Sequence, residues 1–456
     1  MHTAIQEKKF WQKPFYKWEV LLLLWFAFLL NQADRQIYNT LLEKISASLG
    51  LTSAEAGLVA TLFSLVFAMF VPLSGLAADR LSKKSILCFA VFLWSFATIA
   101  SGACYGFIAF IVFRSVATGF GEACFGPANY STIAEWHEQD TRARAMSIHQ
   151  TSYYFGVIVS GALAGWIADN WGWRAAFYVF GTAGIALGAV IFMRLKDRFP
   201  AGPDSDILAA NRKPKDCAET ANEAASKAAN EAADKPAQKP SAPTFAESLK
   251  AVLVVPTALC LTIAFSGLIF VLQGYLTWST FYLQEKFGLS NAEAGFSAVF
   301  YTHIAAFVGI LAAGWISDAI AKKSPRLRIL MQAVGLLCAC PFIVMMGISE
   351  SLALVYVGFL GFGFFRAAFD ANTYAVLYDV IGRRYRSSAA GVMLFLGFGT
   401  GSFAPYILGL LKPVLGLSLG ISLLAAVWVL AAALLIAAYK FFYMRDLRRA
   451  MEADRP

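Results

Sequence analysis

Six charged residues stand inside stretches that are otherwise apolar: Asp34, Arg35, Arg114, Glu122, Arg366 and Asp370. A charge at the middle of a bilayer costs ~2.5–3.5 kcal/mol on insertion scales, so each one needs a partner or a task. A guanidinium stays charged and grips a carboxylate through two hydrogen bonds. A carboxylate in a cavity that excludes water can carry a proton at neutral pH. Such a set can bind an anion, move a proton or neutralise itself. Arg366 and Asp370 are four residues apart and can pair on one helix face. That pair is either structural and self-neutralised or part of a binding site. Asp34 and Arg35 are adjacent and point about 100° apart on a helix, so each needs a partner from another helix. His149 and His303 add polar groups that either titrate and bind hydroxyls or simply pack. Gln273 and Trp278 are the preferred candidates for substrate contact. Tyr374 joins them, with Tyr38, Tyr153, Tyr154, Tyr275 and Tyr301 as further aromatic candidates. Core packing or an interfacial belt accounts for most of these rings.

The elements that must hold these residues are membrane helices. The chain is 58% hydrophobic and 15% charged, against about 25% charged for a soluble protein. Leu21–Leu30, Ile86–Cys104 and Ile421–Tyr439 contain no charge at all. A bilayer core is crossed by roughly 20 apolar residues in a helix. The pattern predicts twelve helices, near 18–40, 55–78, 85–104, 106–134, 144–167, 173–194, 256–283, 292–317, 326–348, 352–379, 388–412 and 417–442. The fold class is therefore an all-α membrane protein with twelve transmembrane helices in two sets of six. The expected division is a six-helix bundle over 1–194, a cytoplasmic linker over 195–250 and a second bundle over 251–456. In the linker, Glu223/Lys227 and Glu231/Lys235 predict a short solvated helix, ended by Pro236, Pro240 and Pro243. It reads as a semi-rigid tether. The basic start of the chain leads into an apolar run with no small-residue cleavage site, so that run reads as a retained first helix.

Charge sets the orientation. With the amino terminus inside, the inner segments other than the central linker carry 21 Lys and Arg, and the outer ones carry four. This asymmetry predicts both termini in the cytoplasm and a multi-pass protein of the cell inner membrane. It also accounts for the net charge of +9 without nucleic acid as a partner. Of the seven cysteines, only Cys217 lies outside an apolar helix. Cys338 and Cys340 lack the companions of a metal site. No phosphate-binding Gly-Lys-Ser/Thr loop, cofactor motif or nucleophile–base spacing is present, so neither a cofactor nor an enzyme is expected.

The halves are related. Gly50-Leu-Thr-Ser-Ala-Glu-Ala-Gly-Leu58 returns as Gly288-Leu-Ser-Asn-Ala-Glu-Ala-Gly-Phe296. Gly75-Leu-Ala-Ala-Asp79-Arg80-Leu-Ser-Lys83-Lys84 returns as Gly314-Trp-Ile-Ser-Asp318-Ala-Ile-Ala-Lys322-Lys323. Glu135 and Arg142 return as Asp379 and Arg386. Three landmarks recurring in order indicate duplication of a six-helix unit, with a substrate site where the halves meet.

The loop from Gly75 to Lys84 resembles the signature loop of the major facilitator superfamily, with Ser82 in place of the usual glycine. Gly75 is expected to let helices approach closely. Asp79, Arg80 and Lys83, with Glu135 and Arg142, are expected to form a charge network that latches one conformation. Asp318, Asp379 and Arg386 are their counterparts in the second half. The resemblance implies that helices 1, 4, 7 and 10 line a central cavity, which agrees with the buried charges on helices 1, 4 and 10.

A narrower resemblance rests on Asn31-x-x-Asp34-Arg35-Gln36-Ile37, Gly121-Glu122-Ala123 and Tyr130-Ser-Thr-Ile-Ala134. These are similar to the Spinster-like branch, and the same charge plan resembles the anion:cation symporter branch. It implies Asp34 and Glu122 as proton carriers, with Arg35 and Arg114 as anion-binding or gating groups. His303, Arg366 and Asp370 join Gln273, Trp278 and Tyr374 as candidate substrate contacts. One departure stands out. Arg114 and Glu122 are eight residues apart, where that plan implies seven. Either helix 4 has an irregular turn near Thr118-Gly119, or Arg114 serves a different partner.

The expectation is a monomeric secondary transporter, a symporter of a small organic anion such as a sugar acid, coupled to protons or sodium. The rivals are a Spinster-like lysolipid transporter and a transport-inactive membrane receptor.

Overall fold

The computed structural model describes residues 15–137, 139–198, 245–382 and 385–453. The side chains of Asp79 and Arg80, and the helix expected at 223–235, lie outside what is described. The first half holds α1 (Tyr16–Leu49), α2 (Ser53–Arg80), α3 (Lys83–Gly102), α4 (Phe107–Trp136), α5 (Gln139–Trp171) and α6 (Trp173–Arg194). The second half holds α7 (Pro256–Phe287), α8 (Asn291–Ala321), α9 (Leu327–Ile348) and α10 (Leu352–Val380). Its α11 is Arg386–Gly401 with the continuation from Ala404 to Gly416, and α12 follows that break. Gly416 has a φ of 71°, which ends one crossing and starts the next. A short helix, Phe245–Val254, precedes α7, and Tyr443–Ala453 ends the described chain. The sequence pattern had left Phe245–Val254 largely within the linker.

Among the described residues, ten stretches are long and apolar enough to cross a membrane, the last of which, Ser388–Glu452, contains both α11 and α12. α1 is not among them, because Asn31, Gln32, Asp34, Arg35 and Gln36 lower its hydropathy. At 34 residues it is still longer than a crossing needs. It also runs nine residues beyond its expected end near 40. Leu41, Leu42 and Ile45 are buried, which extends the helix until Gly50 takes the left-handed conformation at its end.

The repeated nonapeptide explains two matching corners. Gly50 and Gly288 close α1 and α7 with φ of 64° and 66°. Thr52 and Ser290 then cap α2 and α8, each hydroxyl accepting from the backbone N–H of Glu55 or Glu293 at 3.2 Å. Each glutamate reaches back to the N–H of its capping residue, at 2.8 Å for Thr52 and 3.2 Å for Ser290. These are reciprocal capping boxes.

The last glycine of each repeat meets the opposite half. A Cβ on Gly57 would lie 2.2 Å from the Pro405 carbonyl oxygen, and one on Gly295 would lie 2.5 Å from that of Gly161. Glycine is required at both positions because the backbones touch. α2 thus crosses α11, and α5 crosses α8, at the end of the molecule opposite the termini. Asp169 adds a polar tie there. Its carboxylate accepts from the Asn291 side chain at 2.6 Å, the Ala292 N–H at 3.2 Å and Lys44 at 3.0 Å. The carboxylate sits on the amino end of α8, where the helix dipole favours it. Other hydrogen bonds between the halves run from this end to mid-membrane: Thr61 to the Ser402 carbonyl at 2.7 Å and Gln273 to Ser64 at 2.9 Å.

Candidate functional site

Four of the six charges converge in the first half. Asp34 of α1 is buried, and its Oδ2 accepts from Arg114 Nη1 of α4 at 2.7 Å. Arg114 Nη2 donates to the Asp34 backbone carbonyl at 3.0 Å. Thr98 of α3 donates its hydroxyl to Asp34 Oδ1 at 2.5 Å. One carboxylate therefore joins three helices. The neighbouring Arg35 turns the other way. Its Nε donates to Glu122 Oε2 at 2.5 Å, and its guanidinium lies 4.3 Å from the Phe67 ring centroid. Glu122 Oε1 is buried and carries no hydrogen bond among the described residues.

Both answers to the eight-residue question hold. Residues Ile111–Ala117 of α4 form a π turn, and the Thr118 N–H bonds back to the Phe113 carbonyl, five residues earlier. The irregular turn lies just ahead of Thr118-Gly119, and its extra residue absorbs the surplus spacing. Arg114 also has its own partner, Asp34, distinct from the Glu122 that serves Arg35.

A cavity of about 190 Å³ lies against this cluster, between the halves. Arg35 and Arg114 both line it, whereas Asp34 and Glu122 lie behind them. α1 lines it with Gln32, Arg35, Gln36 and Asn39, a stripe at helical spacing, and with Tyr38, while Tyr153 lines it from α5. α7 contributes Gln273 and Thr277 from the second half. Gln32, Gln36, Asn39 and Thr277 were missed in the sequence. Gln32 and Asn39 could have been found by stepping three or four residues from Arg35, and Gln36 by a step of four from Gln32.

Several expected contacts lie elsewhere. Trp278 is fully buried, and its indole N–H donates to the Pro405 carbonyl at 2.9 Å, so it braces α7 against α11 and does not line the cavity. Tyr374 is 42% exposed and pairs with Tyr378 on its own helix, also away from the cavity. Arg366 and Asp370 pair at 3.3 Å on α10, again outside the lining. His303 donates from Nδ1 to the Val299 carbonyl at 2.8 Å, leaving Nε2 3.5 Å from the Tyr153 hydroxyl of the opposite half. His149 accepts from the Asn129 amide at 3.0 Å and stacks on Phe28, which is a packing role.

The expected latch is split between the halves. Lys83 pairs with Glu135 across α3 and α4. Arg328 lies 3.8 Å from Asp318 and 3.6 Å from Asp379, and Tyr443 donates to Asp379 at 2.7 Å. Arg142 donates to the carbonyls of His137 and Ala134, capping the end of α4. Arg386 donates to the Ile381 carbonyl at 3.3 Å, an equivalent position after α10. Each of these contacts stays within one half. Gly75 has no close neighbour: a Cβ there would meet nothing nearer than Pro127 Cβ at 4.0 Å, and one on Gly314 would meet nothing within 4 Å. The close approach expected of Gly75 is made by Gly57 and Gly295 instead. Ser82, at the usual glycine position, caps α3 by accepting from the Ser85 N–H at 3.1 Å.

Two six-helix halves enclosing a polar cavity are the architecture of a membrane transporter. The chain belongs to the Major Facilitator Superfamily, whose family model matches residues 24–405. It is 26% identical over 411 residues to a probable galactarate/D-glucarate transporter of Bacillus subtilis (strain 168), covering 87% of this chain and 86% of that one. It is 27% identical to the hexuronate transporter of the same organism, with 90% and 91% covered. It is 25% identical to protein spinster homolog 1 of Xenopus laevis, with 92% and 77% covered. Among solved structures, it resembles a bacterial homologue of the human lysosomal transporter Spinster in an inward-facing conformation. The TM-score is 0.73 at 20% identity, covering 97% of this chain and 99% of that one.

Proposed function

We propose that the protein is a proton-coupled symporter of a small organic anion, a sugar acid or related carboxylate, in the cell inner membrane with both termini cytoplasmic. The observation that carries this reading is the order of charges at the cavity: guanidiniums face it and carboxylates stand behind them. In the empty carrier Arg35 is neutralised by Glu122. A proton on Glu122 removes that neutralisation and leaves Arg35 in need of an anion. A substrate carboxylate then supplies the missing charge. Proton and anion are favoured together, because either alone leaves an uncompensated charge at the cavity. The names of the bacterial relatives support a sugar acid as the anion. In this orientation the end where the halves touch through Gly57 and Gly295 is the outer one.

In proteoliposomes, a pH gradient should drive accumulation of hexuronate or galactarate. Glu122→Gln should abolish that accumulation while leaving substrate binding measurable by thermal shift. Full gradient-driven accumulation by the variant would overturn the coupling.

A Spinster-like lysolipid carrier is the second reading, favoured by the vertebrate relative. A cavity of about 190 Å³ is below the ~300–1,000 Å³ of common ligand pockets, which suits a compact solute over an acyl chain. Stabilisation by lysolipids and not by sugar acids would reverse this choice.

A further inference from the structure

We infer that the substrate is a polyhydroxylated monocarboxylate, bound with its single carboxylate at Arg35 and its hydroxyls against neutral side chains of α1 and α7. The inference rests on the organic-anion reading above and narrows it. The relatives leave the point open, since galactarate and glucarate carry two carboxylates and a hexuronate carries one.

The two guanidiniums differ in what they have left to offer. Arg114 uses Nη1 and Nη2 on Asp34, and Asp34 is also held by Thr98. Asp34 thereby neutralises Arg114, and both are buried. Arg35 spends only Nε on Glu122, and its two terminal nitrogens make no hydrogen bond among the described residues. It is also the more open of the two, with 29% of its side chain exposed against 3% for Arg114. One guanidinium fork is thus available for one carboxylate.

The rest of the polar lining is uncharged. Asn39 lies one helical turn from Arg35 on the same stripe. Thr277 faces the cavity from α7. Neither the Asn39 amide nor the Thr277 hydroxyl makes a side-chain hydrogen bond among the described residues, and Thr277 is only 4% exposed. Polar groups in such a setting require partners. Hydroxyls on a carbon chain both donate and accept, and so satisfy an amide and a hydroxyl alike. A second carboxylate would instead meet Leu276 and Phe398 or these neutral groups, with no cation on that wall. Arg366, a buried cation of the second half, lies outside the lining and beside Asp370. A plain fatty acid would leave the amide and hydroxyl groups unpaired, and sites built to hydrogen-bond a substrate reject analogues that lack the group.

The test is competition against labelled D-galactonate in counterflow, using the full-length protein in proteoliposomes. The competitors are unlabelled galactonate, galactarate, galactose and butyrate. Galactonate should compete at about tenfold or more lower concentration than each of the other three. Asn39→Ala and Thr277→Val should each raise the half-saturation constant for galactonate about tenfold, with the melting temperature reporting that the variants fold. If galactarate or butyrate competes as well as galactonate, the inference falls while the anion reading stands. If galactose competes as well as galactonate, or no acid is bound at all, the anion reading falls and the inference with it.

Discussion

Arg35 and Arg114 carry the same group but are set to different uses. Arg114 is buried and holds both the side chain and the backbone of Asp34, a two-point grip that a lysine cannot reproduce. Arg114→Lys should therefore lower the melting temperature, since a hydrogen bond to a charged group is worth about 1.5–3 kcal/mol. Arg35→Lys should leave the melting temperature near wild type and raise the half-saturation constant for a sugar acid about ten- to hundredfold. Equal effects of the two variants on both readouts would contradict the division. That these residues stand out was legible in the sequence, because a charge interrupting an apolar run is conspicuous. Which anion each one faces was not legible. Adjacency on a helix sets the angle between Asp34 and Arg35 but does not say which helix lies in each direction. Thr98 gave no signal, since a lone hydroxyl in an apolar helix commonly bonds to its own backbone. Trp278 failed for the opposite reason: an indole ring at membrane depth is equally at home in a cavity or in a core.

At the scale of the element, α4 holds the most informative irregularity. A spacing of eight between Arg114 and Glu122 is one too many for an α-helix to keep both on one side, and the π turn over Ile111–Ala117 takes up the surplus. Val116 lies within that turn and is 44% exposed. Deleting Val116 should let the turn relax to ordinary α-helix with Arg114 and Glu122 still suitably directed, giving a folded protein that retains transport. Deleting Ala123, which is fully buried in regular helix, should turn the segments on either side by about 100° relative to each other and abolish uptake. Loss of function in both deletions would show that the extra residue does more than adjust register. The surplus could be counted in the sequence, but its position could not, because π turns have no strong composition of their own. Helix caps were easier. The glycine, the hydroxyl residue and the glutamate of the repeated nonapeptide each have one evident use, and each is found in that use.

For the whole molecule, the repeat was the most legible property, since it needs only the chain compared with itself. It located the corners where the halves meet, through Gly57 and Gly295, more accurately than the motif that first suggested close packing, through Gly75. Recurring acids and bases show that charges are placed alike in both halves, yet they do not say whether partners lie within a half or across. Arg142 and Arg386 each donate to carbonyls at helix ends, which have no partner within the helix and so compete for any nearby donor. The cavity cluster has an electrical consequence. Asp34, Glu122, Arg35 and Arg114 sum to zero, and so does a cargo of one proton with one monoanion. Neither the empty nor the loaded carrier then moves net charge through the membrane field. An elementary charge crossing 100 mV gains about 2.3 kcal/mol, so a carrier that did move charge would respond steeply. Uptake measured with and without a potassium diffusion potential of about 100 mV should be the same at fixed pH gradient. A carrier built this way would draw on the chemical part of the proton gradient and be indifferent to the voltage.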